Sequence, residues 1–154
     1  MNRRVFLQRS LATGAVALAA SAGLLAPSTV LASWNKAAFE AKDLSSAIKG
    51  AVTGDAPTES ADIKIKAPDI AENGAVVPVT VSTTLKDVET ITIFSEKNGT
   101  PLVAQFDFEK ATQPFISTRI KMGKTSNVVA VVKSGGKNYQ AKKEVKVTIG
   151  GCGG

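Results

Sequence analysis

The residues with the most chemistry to offer stand together at the C-terminal end, Gly150-Gly151-Cys152-Gly153-Gly154. Cys152 is the only cysteine in 154 residues, and there is no histidine. A free exposed thiol keeps a pKa of about 8.5, so only a few per cent is thiolate at neutral pH. Neither Lys nor His stands beside Cys152 to activate it. Such a thiol stays quiet until a second protein activates it. Its chemistry is disulfide formation, overoxidation, or covalent attachment of a sulfur-containing group.

The glycines define how that thiol is presented. At an average usage of about 7%, four specified glycines arise by chance at roughly 2 × 10⁻⁵, so the pattern calls for a cause. Glycine loses the most backbone entropy on ordering, and residues 150–154 are therefore expected to form a flexible arm. At about 3.5 Å per extended residue, the thiol reaches on the order of 10 Å beyond a domain ending at Ile149. With no side chain on Gly150, Gly151, Gly153 or Gly154, the arm would enter a tunnel that excludes bulkier peptides. A passenger tied to it stays at high effective concentration at each successive site.

Other readings of the tail fit less well. Incidental cysteines are usually buried rather than set among glycines. An intermolecular disulfide would need no such arm. Prenylation requires three residues after the cysteine, and here there are two. A terminal diglycine also occurs in ubiquitin-like proteins, but these work in the cytosol with an activating enzyme.

What is missing narrows the function further. Without histidine there is no Ser-His-Asp or Cys-His arrangement, no imidazole base and no histidine-bound metal. One cysteine makes neither an intrachain disulfide nor a thiolate zinc site. No metal and no cofactor are expected, and the chain reads as a partner of enzymes rather than an enzyme.

Residues 1–32 have a charged start, an apolar middle and a small-residue end, the pattern of a cleaved export signal. The middle is short and diluted by Thr13, Gly14, Ser21 and Gly23, whereas a membrane anchor wants about 20 apolar residues. Arg3-Arg4-Val5-Phe6-Leu7 resembles the twin-arginine motif, with Arg3, Arg4, Phe6 and Leu7 as its marked positions. That resemblance implies export of a folded protein to the periplasm, with cleavage near Ala32. The formal charge of +6 includes Arg3, Arg4 and Arg9, and removal of the leader leaves roughly +3. A mildly basic domain with interspersed acids is a weak candidate for nucleic acid.

The elements that must carry the arm are legible from periodicity. Residues 33–54 read as a helical segment: Ala37, Ala41, Leu44, Ile48 and Ala51 recur at helical spacing over residues 34–52. Asn35 is the expected N-cap, Trp34 packs onto Phe39 across it, and Gly50 or Gly54 ends the helix. Whether this helix lies on the domain or on a partner stays open. From residue 61 the period becomes two: Ile63 and Ile65; Val77, Val79 and Val81; 88–94; Leu102 to Phe108; Ile116 to Met122; the unbroken run 128–132; and Val145 to Ile149. Asn73-Gly74, Asn98-Gly99 and Gly135-Gly136 supply turn chemistry between them, and Pro68 and Pro78 are expected at strand ends or edges. About seven short strands with no helix between them predict an all-β, immunoglobulin-like antiparallel sandwich over residues 55–149.

The terminal Gly-Gly-Cys-Gly-Gly, the twin-arginine-like leader and a β-rich domain of this size together resemble the SoxY family, the sulfur-carrying subunit of the bacterial thiosulfate-oxidising system. The resemblance implies that Cys152 is the attachment atom and that Gly150, Gly151, Gly153 and Gly154 are its arm. It implies a heterodimer with SoxZ, loading with thiosulfate by the haem enzyme SoxXA, sulfate release by SoxB, and oxidation of the remaining sulfur by SoxCD where present. The strands alone would also suit a non-catalytic periplasmic binding or adhesion module. Lys137, Lys142, Lys143 and Lys146 lie near the tail in sequence, where they either attract anions and acidic partners or form the solvated face of a strand.

Overall fold

The computed structural model describes residues 35–148, and among these two helices precede the strands. Trp34, the leader and the tail lie outside the described residues. The first helix, α1, is Lys36–Glu40, and the Asn35 carboxamide caps it by accepting the Ala38 N–H at 3.2 Å. The second, α2, is Leu44–Ala51. The single helix expected over 34–52 is thus divided. Ala41 is extended (φ −57°, ψ 139°), and Asp43 starts a new helix by accepting the Ser46 N–H at 2.9 Å and the Ser46 hydroxyl at 2.7 Å. Aspartate competes with backbone carbonyls for nearby N–H groups, which favours it at a cap over a helix interior. Those bonds from Ser46 hold the Asp43 carboxyl below its usual range.

Neither glycine ends α2. Val52 is its C-cap, donating to the Ile48 carbonyl at 2.8 Å, while Gly50 lies inside the helix. A Cβ at Gly50 would come within 2.9 Å of Ala38 Cα, so the glycine sets how closely α1 and α2 approach.

Nine strands follow: β1 (Thr58–Glu59), β2 (Ile63–Lys66), β3 (Ile70–Ala71), β4 (Val77–Thr83), β5 (Val88–Ser95), β6 (Leu102–Asp107), β7 (Phe115–Ile120), β8 (Ser126–Ser134) and β9 (Lys137–Val147). Each expected run contains a strand, but β6 stops at Asp107 and β7 at Ile120, β9 begins at Lys137, well before Val145, and Ile149 lies outside the described residues. β1 and β3 are additions of two residues each, both parallel to β9. One sheet has the order β1-β9-β8-β5-β6, with β3 also on β9; the other is β2-β4-β7. All other pairings are antiparallel.

The unbroken apolar run in β8 is explained by cover on both faces. Val128, Ala130 and Val132 join Ile91 and Ile93 against Val77, Val79 and Val81 of the opposite sheet. Val129 and Val131 point the other way and, with Phe94 and Leu102, receive Ala38, Phe39, Leu44, Ala47 and Ile48 from the helices. The helices therefore pack on this chain's own larger sheet. Each fully buried valine contributes about 1.5–3 kcal/mol relative to exposure. Loss of the helices would leave two of the five apolar residues in this run without cover.

The turns show where glycine is required. Gly135 (φ 55°) and Gly136 (φ 75°) join Ser134 to its partner Lys137, the two-residue hairpin whose mirror-image turn needs positive φ at both positions. Asn73-Gly74 and Asn98-Gly99 work differently, with no positive φ. Asn73 accepts the Ala75 N–H at 2.9 Å, and a Cβ on Gly74 would collide with the Met122 carbonyl oxygen. Asn98 donates to the Lys121 carbonyl at 2.7 Å and accepts the Gly123 N–H at 2.9 Å, stitching two loops together. Pro78 is tolerated in β4 because there the strand pairs only with Arg119 of β7, while β2 pairs with residues 80–83. Among the described residues, no helix is long and apolar enough to cross a membrane.

Candidate functional site

The tail leaves from the end of β9, and that end is held on both sides. β3 runs parallel to it: Lys146 N–H donates to the Asp69 carbonyl at 2.9 Å, and Thr148 N–H to the Ala71 carbonyl at 3.1 Å. β8 has not begun on the other side, since its first residue, Ser126, is opposite Val145. A side chain takes its place. The Thr125 hydroxyl accepts the Val147 N–H at 2.9 Å and donates to the Val147 carbonyl at 3.4 Å. The Lys143 ammonium adds an ion pair with Asp69 at 2.9 Å. Thr148, held through its N–H, is the last described residue before the cysteine.

The loops around this root are bonded to one another. Met122 N–H donates to the Gly74 carbonyl at 2.7 Å, which joins residues 121–125 to residues 72–76. The two Asn98 bonds join residues 121–125 to the β5–β6 loop. Together they form a collar carrying Lys97, Lys121 and Lys124, with Lys146 on β9 beside it, all four exposed. Among the described residues none of these four forms an ion pair. Two large apolar side chains are exposed in the same region, Ile70 (57%) on β3 and Val76 (50%) before β4.

Cys152, Gly150, Gly151, Gly153 and Gly154 lie outside the described residues, as do Arg3, Arg4, Phe6 and Leu7. Of the four lysines grouped by sequence, the structure separates three kinds. Lys137 sits at the Gly135-Gly136 hairpin, the far end of β9 from the tail. Lys143 is committed to Asp69. Lys142 and Lys146 are exposed along β9 with Glu144 between them. Sequence reading missed Lys97, Lys121 and Lys124, because nothing in their spacing shows that Asn98 draws their loops together. Thr125 was missed for a similar reason, since a side chain standing in for a strand leaves no periodic signal.

Other surface features lie away from the root. A groove of about 600 Å³ lies between α2 and residues 54–57, lined by Leu44, Ile48, Val52 and Pro57. A cleft of about 1150 Å³ near the Gly135-Gly136 end is lined by Lys86, Asp87, Glu89, Phe108 and Lys110. Among the described residues no group of three or more His, Cys, Asp or Glu is placed to hold a metal ion.

Comparison with known proteins agrees with this architecture. The family model described as sulfur oxidation protein SoxY matches residues 49–152, a span that starts in α2 and ends on the cysteine. The solved structure of the sulfur carrier protein SoxY from Chlorobium limicola f thiosulfatophilum is 52% identical, with a TM-score of 0.57, over 62% of this chain and 88% of that one. A superoxide reductase (neelaredoxin) from Ignicoccus hospitalis, 22% identical, has a TM-score of 0.50 over 56% of this chain and 80% of its own. A variant form of that reductase matches at the same identity and TM-score over 66% and 86%. These two share the fold alone. No curated protein matches. This sandwich and a family match running to Cys152 lead to one conclusion: the chain belongs to the SoxY family of sulfur oxidation proteins and is a sulfur carrier.

Proposed function

We propose that Cys152 is the atom to which sulfur is attached, and that the chain works in the periplasm after export by the twin-arginine route. The observation that carries the attachment reading is the span of the family match, which takes in Gly150 and Gly151 and ends on the only cysteine. Loading joins the Cys152 sulfur to the outer sulfur of thiosulfate, releasing one proton and two electrons. The electrons pass to the haem enzyme, in the role of SoxXA. Hydrolysis of the resulting thiosulfonate by an enzyme in the role of SoxB consumes one water, releases sulfate and two protons, and leaves a persulfide on Cys152. That sulfur remains for further oxidation in the role of SoxCD. The chain itself contributes attachment and delivery, and a SoxZ-like subunit completes the carrier as a heterodimer.

The described residues support delivery rather than catalysis by a simple division of labour. The sandwich holds Val147 through the Thr125 hydroxyl and Thr148 through the Ala71 carbonyl, and the four glycines beyond have no side chains to obstruct entry into a partner. The test is mass spectrometry of the protein from thiosulfate-grown cells. The tail peptide is expected to carry added sulfur or a thiosulfonate on Cys152, and Cys152→Ser is expected to abolish thiosulfate oxidation with the fold unchanged. Persistent absence of any adduct, or full oxidation by Cys152→Ser, would overturn the reading.

A further inference from the structure

The anchoring of Thr148 sets a hard limit on reach. Cys152 is four steps along the chain from it, with three residues between, so the Cys152 Cα lies within about 14 Å of the Thr148 Cα whatever the tail's conformation. An enzyme acting on the thiol must bring its reacting atoms inside that radius. If those atoms lie at the bottom of a tunnel, the tunnel's mouth must meet the surface around Thr148. The composition of that surface therefore constrains the enzymes that use it.

That surface is unbalanced in charge. Lys97, Lys121, Lys124 and Lys146 are exposed and unpaired among the described residues. Of the nearby acids, Asp69 is paired with Lys143, and Glu96 accepts from the Asn127 carboxamide at 2.8 Å. Glu72 is the remaining exposed acid on the collar, and Glu144 lies beside Lys142 further back along β9. The opposite end of the sandwich is mixed: Lys86, Lys110 and Lys137 occur there with Asp87, Asp107 and Glu109, while Lys133 is paired with Glu89 at 3.0 Å. The two ends are separated by the length of β9, roughly 33 Å for eleven residues. The excess positive charge of the carrier is thus concentrated where the tail departs.

We propose that the lysine collar formed by Lys97, Lys121, Lys124 and Lys146 is the docking face for enzymes that act on Cys152, and that their tunnel mouths are acidic. This rests on Cys152 being the attachment atom. Charge of one sign at a docking face orients the encounter and raises its rate, and it does so without the tight binding that would delay release. A carrier that serves several enzymes in turn needs fast arrival and fast departure. The exposed Ile70, opposite Lys146, and Val76 provide apolar contact in the same region.

The test is the reconstituted thiosulfate-oxidising system, with initial rates measured at varied carrier concentration. One variant combines Lys121→Glu, Lys124→Glu and Lys146→Glu. Its control combines Lys86→Glu, Lys110→Glu and Lys137→Glu, the same charge change at the far end. The collar variant is expected to raise KM for the carrier about tenfold at an ionic strength of roughly 0.01 M, with kcat unchanged. The control is expected to shift it by less than about threefold, and the difference is expected to shrink at roughly 0.1 M, where the Debye length is about 10 Å. A glutamine version of the collar variant, milder for folding, is expected to fall between. Equal effects at the two ends, or a loss that salt does not reduce, would overturn the inference. Activity in Cys152→Ser would instead sink the carrier reading, and the inference with it.

Discussion

Thr125 and Val147 are joined twice, the hydroxyl of one accepting the other's N–H at 2.9 Å and donating to its carbonyl at 3.4 Å. A single side chain thereby extends the ladder beyond the point where β8 begins. Thr125→Val keeps the shape and removes both bonds, at a cost of about 1 kcal/mol. The Val147 amide is expected to lose protection in hydrogen exchange, while Thr125→Ser retains it. Unchanged protection in the valine variant would show that packing, not the hydroxyl, holds the residue.

Gly50→Ala is expected to destabilise the protein even though alanine is the better helix former by about 0.8–1 kcal/mol. The new Cβ would lie 2.9 Å from Ala38 Cα, and backbone must shift to admit it. Overpacking of this kind costs about 1–3 kcal/mol, which outweighs the propensity gain. Urea unfolding gives the measurement, and a higher midpoint for the alanine variant would show that α1 yields easily.

Replacing Gly151 and Gly153 with valine keeps the thiol and changes only its access. Adduct formation by the loading enzyme is expected to fall at least about tenfold, since small misplacements at a reacting centre are costly. Modification by a small soluble thiol reagent is expected to change little. Equal loss with both reagents would point to a damaged thiol rather than a blocked entry.

Glu89 links stability to pH at the hairpin end. Its hydrogen bond from Lys133, and then the Gly136 N–H, hold its carboxyl below the usual carboxylate range. A carboxyl that binds protons less readily when folded stabilises the fold above its unfolded value, and that contribution disappears as pH falls through the lower folded value. The melting temperature is expected to decline from roughly pH 5 downward, and Glu89→Gln is expected to flatten part of that slope. The effect is modest because the pair is solvated.

Much of this fold is legible in residue order because alternation reports burial directly. The run 128–132 marks β8 as covered on both faces, and Gly135-Gly136 marks the one turn with two positive φ values among the described residues. The helix pair is less legible, because Asp43 occupies a position that also suits the polar face of one longer helix. Its role as a cap shows only in its bonds to Ser46. β1 and β3 are too short for any period, and they are strands only because β9 lies beside them. The thiol and its glycines stand out in the sequence and lie outside the described residues. The lysine collar needed Asn98 and Thr125 to bring distant segments together.

β9 bonds to β8 over Lys137 to Val145 and to β3 at its last residues, with the hydrogen bonds running across the strand axis. A tug on the tail therefore loads that ladder in shear, so that many bonds share the force instead of opening one after another. Force applied beyond Thr148 thus meets a stiff mooring rather than a strand that peels away.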